Sequence, residues 1–166
     1  MRRIDREMPA EFALEVADKC EWAVMSMIDP KGMPYCIPIS IVRDDNNIYF
    51  HSAKEGFKVE CLRANPTVCI ACVGDTKPSR DKFTTEFESA IIRGVAMEVL
   101  DDKEKIKALR ILCEKLTPTN MDEFDGAIAK SLFRTAVWKV EINEITGKRK
   151  KYDEKGEEMK FGRMDR

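Results

Sequence analysis

The sequence predicts a mainly β fold, an antiparallel barrel of six strands with short helices as decoration. Three observations predict it. Six strand-sized apolar or alternating runs recur along the chain. The first three are joined by tight turn signals, which makes them an antiparallel meander. No regular strand–helix–strand succession appears, so a parallel βαβ sheet is not expected. A chain of 166 residues with 43% apolar content is long enough to bury one core without staples.

Taken in order, Pro9 to Cys20 carries Phe12, Val16 and Cys20 four residues apart, with Leu14 and Ala17 beside them, a short amphipathic helix. The run 22–29 is the first strand, and Asp29-Pro30-Lys31-Gly32 turns the chain into a second over 33–43. A polar turn at 44–47 leads to the third strand, 48–52. A helix of about ten residues follows, with Phe57, Cys61 and Leu62 on one side, and stops at Asn65-Pro66. Residues 67–74 are a fourth strand, and the polar stretch 75–85 reads as a surface loop. The fifth strand, 86–100, places Phe87, Ser89, Ile91, Val95, Met97 and Val99 on one face, and Gly94 marks a bulge or a close backbone approach. Helices are expected from Asp101 to Leu116 and from Met121 to Phe133. The sixth strand, 135–142, alternates Ala136, Trp138, Val140 and Ile142. Residues 1–147 form one domain on this reading. Residues 148–166 are a charged tail with Met159 and Phe161 as its apolar anchors, to the body or to a neighbouring subunit.

Composition narrows the function. Lys plus Arg is 29 against Asp plus Glu 30, a near-neutral balance with no basic excess for nucleic acid. No apolar run reaches membrane-span length, and the two early arginines precede no apolar stretch, so neither a span nor a signal peptide is expected and the protein reads as cytoplasmic. Of six cysteines only Cys69 and Cys72 are close. In a strand, residues three apart point to opposite faces, so the pair does not chelate one ion and the cysteines read as buried, reduced and structural; no metal is expected.

Gly-rich dinucleotide loops, P-loops, zinc-helix motifs and nucleophile elbows are all missing. What remains is residues 49–58, YFHSAKEGFK, which hold the only histidine. Ser52 and Glu55 fit a capping box, which would start a helix directly after the strand and leave its first amides open to an anion. Lys54 and Lys58 would share a helical face, and Gly56 would let a ligand approach the backbone. Together these describe a phosphate pocket. Each feature also has an ordinary explanation: capping boxes are common, lysines on short helices are usually solvated, and a lone histidine at a strand end is usually structural.

MRRIDREM, DPKGMPYCIPIS, IYFHSAKEGFKVECLRANPTVCI, FTTEFESAIIRGVAMEV and VWKVEINEITGK resemble, in this order, the nitroimidazole-resistance proteins. These belong to the pyridoxamine 5'-phosphate oxidase-like superfamily of FMN-binding split barrels. The resemblance implies a six-stranded split barrel, a homodimer, and one FMN per subunit at the interface. It implies Lys58 on the flavin phosphate, His51 and Ser52 along the ribityl-phosphate channel, and Pro38, Ile39 and Ser40 along the isoalloxazine ring, largely through backbone. Ser89 would reach the partner's cofactor, and Lys148 would be a late contact. Ile37 stands where the oxidase has an arginine, and the oxidase's carboxy-terminal arginine–histidine signature is absent, which argues against vitamin B6 oxidation. The implied activity is an FMN-dependent reductase of a small electron-poor acceptor such as a nitro-aromatic, with an unknown electron donor and with His51 either shaping the phosphate pocket or facing the substrate over the flavin. The rivals are another flavin reductase or oxidase on the same fold, and a non-catalytic flavin- or haem-binding module.

Overall fold

The computed structural model describes residues 2–79, 81 and 83–160. Its centre is an antiparallel sheet whose hydrogen-bonded path runs β3-β2-β6-β7-β8-β5-β4, with β1 pairing onto β8. The strands are β1 (Glu7–Met8), β2 (Ala23–Ile28), β3 (Pro34–Ile39), β4 (Val42–Asp44), β5 (Asn47–Ala53), β6 (Thr67–Ser79), β7 (Thr84–Val99) and β8 (Thr135–Lys150). The helices are α1 (Ala10–Lys19), α2 (Phe57–Ala64), α3 (Asp102–Leu116) and α4 (Phe124–Ser131). All six expected strands are present, curled around one core. The expected second strand divides into β3 and β4 at Ser40–Ile41. There the Lys115 ammonium donates to the carbonyls of Ile41 (3.0 Å) and Cys20 (2.7 Å).

Alternation decides which face is core. Met25, Ile48, Phe50, Ile70, Ile92 and Val140 are fully buried and form the barrel interior. Helix α1 packs across β6, β7 and β8 and adds Ala13, Val16 and Ala17, with Phe12 and Leu14 only partly buried. A second cluster lies outside the barrel, where Leu109 and Leu112 of α3 and Phe124 of α4 cover Tyr49, Val99 and Val137. Asp101 caps α3 by accepting from the Glu104 amide at 2.8 Å.

In β7 the odd residues grouped by the sequence share a face, and it is the one that points away from the barrel. The barrel interior takes Ala90, Ile92, Gly94 and Ala96, and Ile91 and Met97 are exposed. Gly94 is the expected close approach: a Cβ there would meet the Glu141 carbonyl oxygen at 2.1 Å, beside a register shift. Most of the stretch 75–85 is strand and not loop: β6 continues to Ser79 and β7 starts at Thr84, paired as a two-stranded ribbon with a bulge between Val73 and Thr76. Such a ribbon has no core beneath it, so its polar composition carries no strand signal.

The cysteines are all free. Cys69 and Cys72 do point to opposite faces, Cys72 into the core and Cys69 outward, but only Cys20, Cys61 and Cys72 are buried, and Cys36 is exposed. Lys148 lies inside β8, where it pairs with both Ser89 and Glu7. Beyond β8 the chain folds back in a bridge between Tyr152 and Glu158 and is tied to the amino terminus: Arg6 donates to Glu158 at 2.6 Å and Lys160 to Asp5 at 2.9 Å. Met159 is partly buried in this segment; Phe161 lies outside the described residues.

Candidate functional site

The path of the sheet does not close. β3 forms one edge and β4–β5 the other, and no ladder joins them among the described residues. Helix α2 lies across this split. Its first residue, Phe57, meets Tyr35 of β3 edge-to-face at 4.9 Å between centroids. Its second, Lys58, holds its ammonium 5.9 Å from the centroid of the Phe50 ring of β5, which stacks on Trp138 of β8. The helix start is thus braced on both edges by aromatic side chains.

The local structure differs from the capping box the sequence suggested. Ser52 belongs to the β5–β8 ladder opposite Ala136, and its hydroxyl donates to the Ala53 carbonyl at 2.7 Å. The N-cap is Gly56, at φ +124°, with no side-chain cap, and the first helical bond is Glu60 N–H to the Gly56 carbonyl. The amides of residues 57–59 therefore have no acceptor in the helix, and the space a Cβ would occupy at Gly56 is open. Because the helix begins at Phe57, Lys54 lies outside it and shares no helical face with Lys58. Lys54 instead lines a cleft of about 610 Å³ formed with α3 and α4.

Lys58 is half-buried, and burial alone lowers its pKa below the ordinary lysine range; no carboxylate offsets the cost among the described residues. His51, exposed at the end of β5, has its pKa lowered from 6.5, first by burial of part of the ring and second by the charge of Lys58. One cation, Lys58, thus stands beside a neutral imidazole with no carboxylate paired to it among the described residues, and the arrangement favours an incoming anion.

On the β3 side, Pro38 is exposed, Ser40 is half-buried, and the Ile39 side chain enters the core, leaving only its backbone for a ligand. Ser89 and Lys148 are direct cross-strand partners on the outward face. Val137, opposite His51, and Lys148 lie about 11 residues apart along β8, on the order of 35 Å of strand. Within one chain, then, His51 and Lys58 lie close enough to interact and Phe57 ties the start of α2 to β3, whereas Ser89 and Lys148 belong to a separate patch. Sequence reasoning missed Tyr35 and Phe57 as the brace across the split, since neither alternation nor spacing reveals a contact between an edge strand and the next helix.

The family model for pyridoxamine 5'-phosphate oxidase matches residues 11–149, which spans β2 through β8 with the split and α2 included. The chain belongs to the pyridoxamine 5'-phosphate oxidase family. Among solved structures it is similar to a protein of Bacteroides thetaiotaomicron assigned provisionally to 5-nitroimidazole antibiotic resistance, at 27% identity and TM-score 0.73, covering 86% of each chain. It is also similar in fold to the flavocytochrome Anf3 of Azotobacter vinelandii, at 22% identity and TM-score 0.72, covering 88% of this chain and 71% of that one. The FAD- and haem-binding protein of Mycobacterium smegmatis shares the fold at 16% identity and TM-score 0.74, covering 87% and 73%. The comparison with curated proteins finds no match. No helix among the described residues is long and apolar enough to cross a membrane.

Proposed function

We propose that this family member is an FMN-dependent oxidoreductase that works as a homodimer and reduces a small electron-poor acceptor of the nitro-aromatic class. One observation carries the reading: the half-buried Lys58 ammonium stands at the split beside His51 with no carboxylate partner among the described residues. An unpaired, partly desolvated cation is unfavourable unless a ligand completes it, and a phosphate does so. The open amides of residues 57–59 and the open space above Gly56 fit the same group. The resemblance to a 5-nitroimidazole resistance protein supports the acceptor class.

When bound, the flavin supplies the hydride chemistry. The chain anchors its phosphate through Lys58 and the start of α2 and lays its ring along the backbone of Pro38, Ile39 and Ser40. His51, neutral near pH 7, presents one ring nitrogen as acceptor and the other as donor, the group needed to hold or deliver a proton at the acceptor. Dimerisation uses the outward face, where Val24 lies between Pro38 and Ala71 in register and Ala71 lies beside the exposed Ile91. Ser89 and Lys148, remote from the split of their own chain, then serve the flavin of the other copy.

The test is to purify the protein, identify any bound ligand, load it with FMN and supply a reduced donor and a nitro-aromatic. Flavin absorption with turnover supports the proposal. A haem spectrum with no flavin uptake replaces the flavin reading by that of a haem-binding module; flavin uptake without turnover leaves a flavin-binding module.

A further inference from the structure

We infer that Trp22 is a positioning residue of the site, its indole providing the flat apolar surface against which the flavin ring is held. This rests on the flavin reading above. Trp22 directly precedes β2 and is 61% exposed. Ala23, Met25 and Met27 of that strand point into the core, so Trp22 and Val24 stand on the outward face. The last pairs of the ladder are Val24 with Pro38 and Ala23 with Ile39; carried one residue further, that register sets Trp22 across from Ser40, about 4.8 Å away at strand spacing and next to the edge stretch expected to carry the ring.

The other exposed aromatics are accounted for elsewhere. Phe57 is engaged with Tyr35, Phe133 lines the cleft by α3 and α4, and Phe83 sits at the turn of the β6–β7 ribbon. On its far side the indole borders a concavity of about 500 Å³ with Val24, Ala71 and Val73 at its floor and Lys19, Glu21 and Asp75 among its other lining residues. It lies on the face proposed above for dimerisation, which sets Trp22 where the interface and the flavin would meet. An exposed indole is unfavourable without a partner, and a planar electron-poor heterocycle is the partner that an electron-rich ring stacks on best. Trp22 thereby sets the tilt of the flavin ring and the face left open to the acceptor. The second tryptophan, Trp138, is buried in the core against Phe50 and does not offer such a surface.

Stacked indole quenches flavin emission, which gives a readout independent of turnover. The experiment compares wild type, Trp22→Leu and Trp22→Phe, each saturated with FMN, by flavin emission and by FMN titration. Wild type is expected to be strongly quenched relative to free FMN. Trp22→Leu recovers emission several-fold and binds FMN ~2- to ~10-fold more weakly, the span of one lost aromatic pair. Trp22→Phe keeps most of the affinity but loses the quenching, because benzene is a poor donor. A saturated Trp22→Leu protein with wild-type emission overturns the inference. Trp22→Leu that takes up no FMN while Trp22→Phe binds and stays quenched overturns it as well. Failure of wild type to bind FMN at all is a different result, and sinks the flavin reading itself.

Discussion

Replacing Lys58 by Met separates anchoring of the cofactor from stability of the fold, because the two effects have opposite signs. The ammonium is half-buried, its pKa is lowered by burial alone, and its close neighbour is the Phe50 ring at 5.9 Å. A phosphate in contact with it forms a charge-assisted hydrogen bond worth about 1.5–3 kcal/mol. Losing that contact corresponds to a ~10- to ~150-fold rise in the Kd for FMN. In the ligand-free protein the same ammonium is partly desolvated with no anion to offset the cost, so Lys58→Met is expected to melt at the same temperature or higher. Titration of the apo-proteins with FMN near pH 7.5 at moderate salt gives the first quantity, and thermal unfolding gives the second. Lys54→Met is the control. Lys54 lies in the α3–α4 cleft, and its loss leaves FMN affinity within about twofold of wild type, as for a solvated surface charge. A Lys58→Met protein that binds FMN like wild type, or a Lys54→Met protein that loses as much, refutes the assignment of the phosphate to the start of α2.

The remaining predictions concern pH, packing, the carboxy-terminal segment and assembly. The lowered pKa of His51 means that the unfolded chain binds its proton more tightly than the fold, so apo stability rises with pH up to about the free histidine value of 6.5 and levels off above it. Thermal melts from pH 5 to 8 are expected to show this rise, and His51→Gln to flatten it; an unchanged slope in the variant removes His51 as its source. Gly94→Ala drives a methyl into the Glu141 carbonyl oxygen and is expected to cost about 3 kcal/mol or more in urea unfolding, with a near-silent result contradicting the register at the bulge. Glu158, hydrogen-bonded first by Arg6 and then by Lys160, has its pKa lowered to about 2, so its contribution is full above the ordinary carboxylate range and fades as pH falls toward 2. Glu158→Gln should therefore lower Tm at pH 7 and far less at pH 2, where the carboxyl is about half protonated, and equal losses at both would detach the effect from charge. Ile91→Glu on the outward face should convert a dimer to a monomer by light scattering while leaving the fold intact.

Much of the architecture was legible because alternation and turn chemistry are local. The 22–29 and 48–52 strands, the Asp29 turn and the inward set Ala136, Trp138, Val140 and Ile142 all follow from a few neighbouring residues. The errors arose where the deciding contact is distant. β7 carries apolar side chains on both of its faces. Periodicity alone therefore did not tell the outward Ile91, Val95 and Met97 from the inward Ala90, Ile92 and Ala96. The capping box failed because Ser52 is held in a ladder with Ala136, eighty-odd residues later, and Gly56 takes the cap. In the site, His51, Ser52, Gly56 and Lys58 are close in sequence and stay close in space, so a short motif found them. Tyr35 joins them only through its contact with Phe57, between an edge strand and the next helix, which no single stretch of sequence displays.

The most direct test of the central claim is a side-by-side titration of the apo-protein with FMN and with riboflavin, which differ only in the phosphate. The account predicts one FMN per chain and riboflavin weaker by at least ~10-fold, the lower bound of a charge-assisted phosphate contact. Equal affinities for the two, or saturation by haem with no uptake of either, would contradict it.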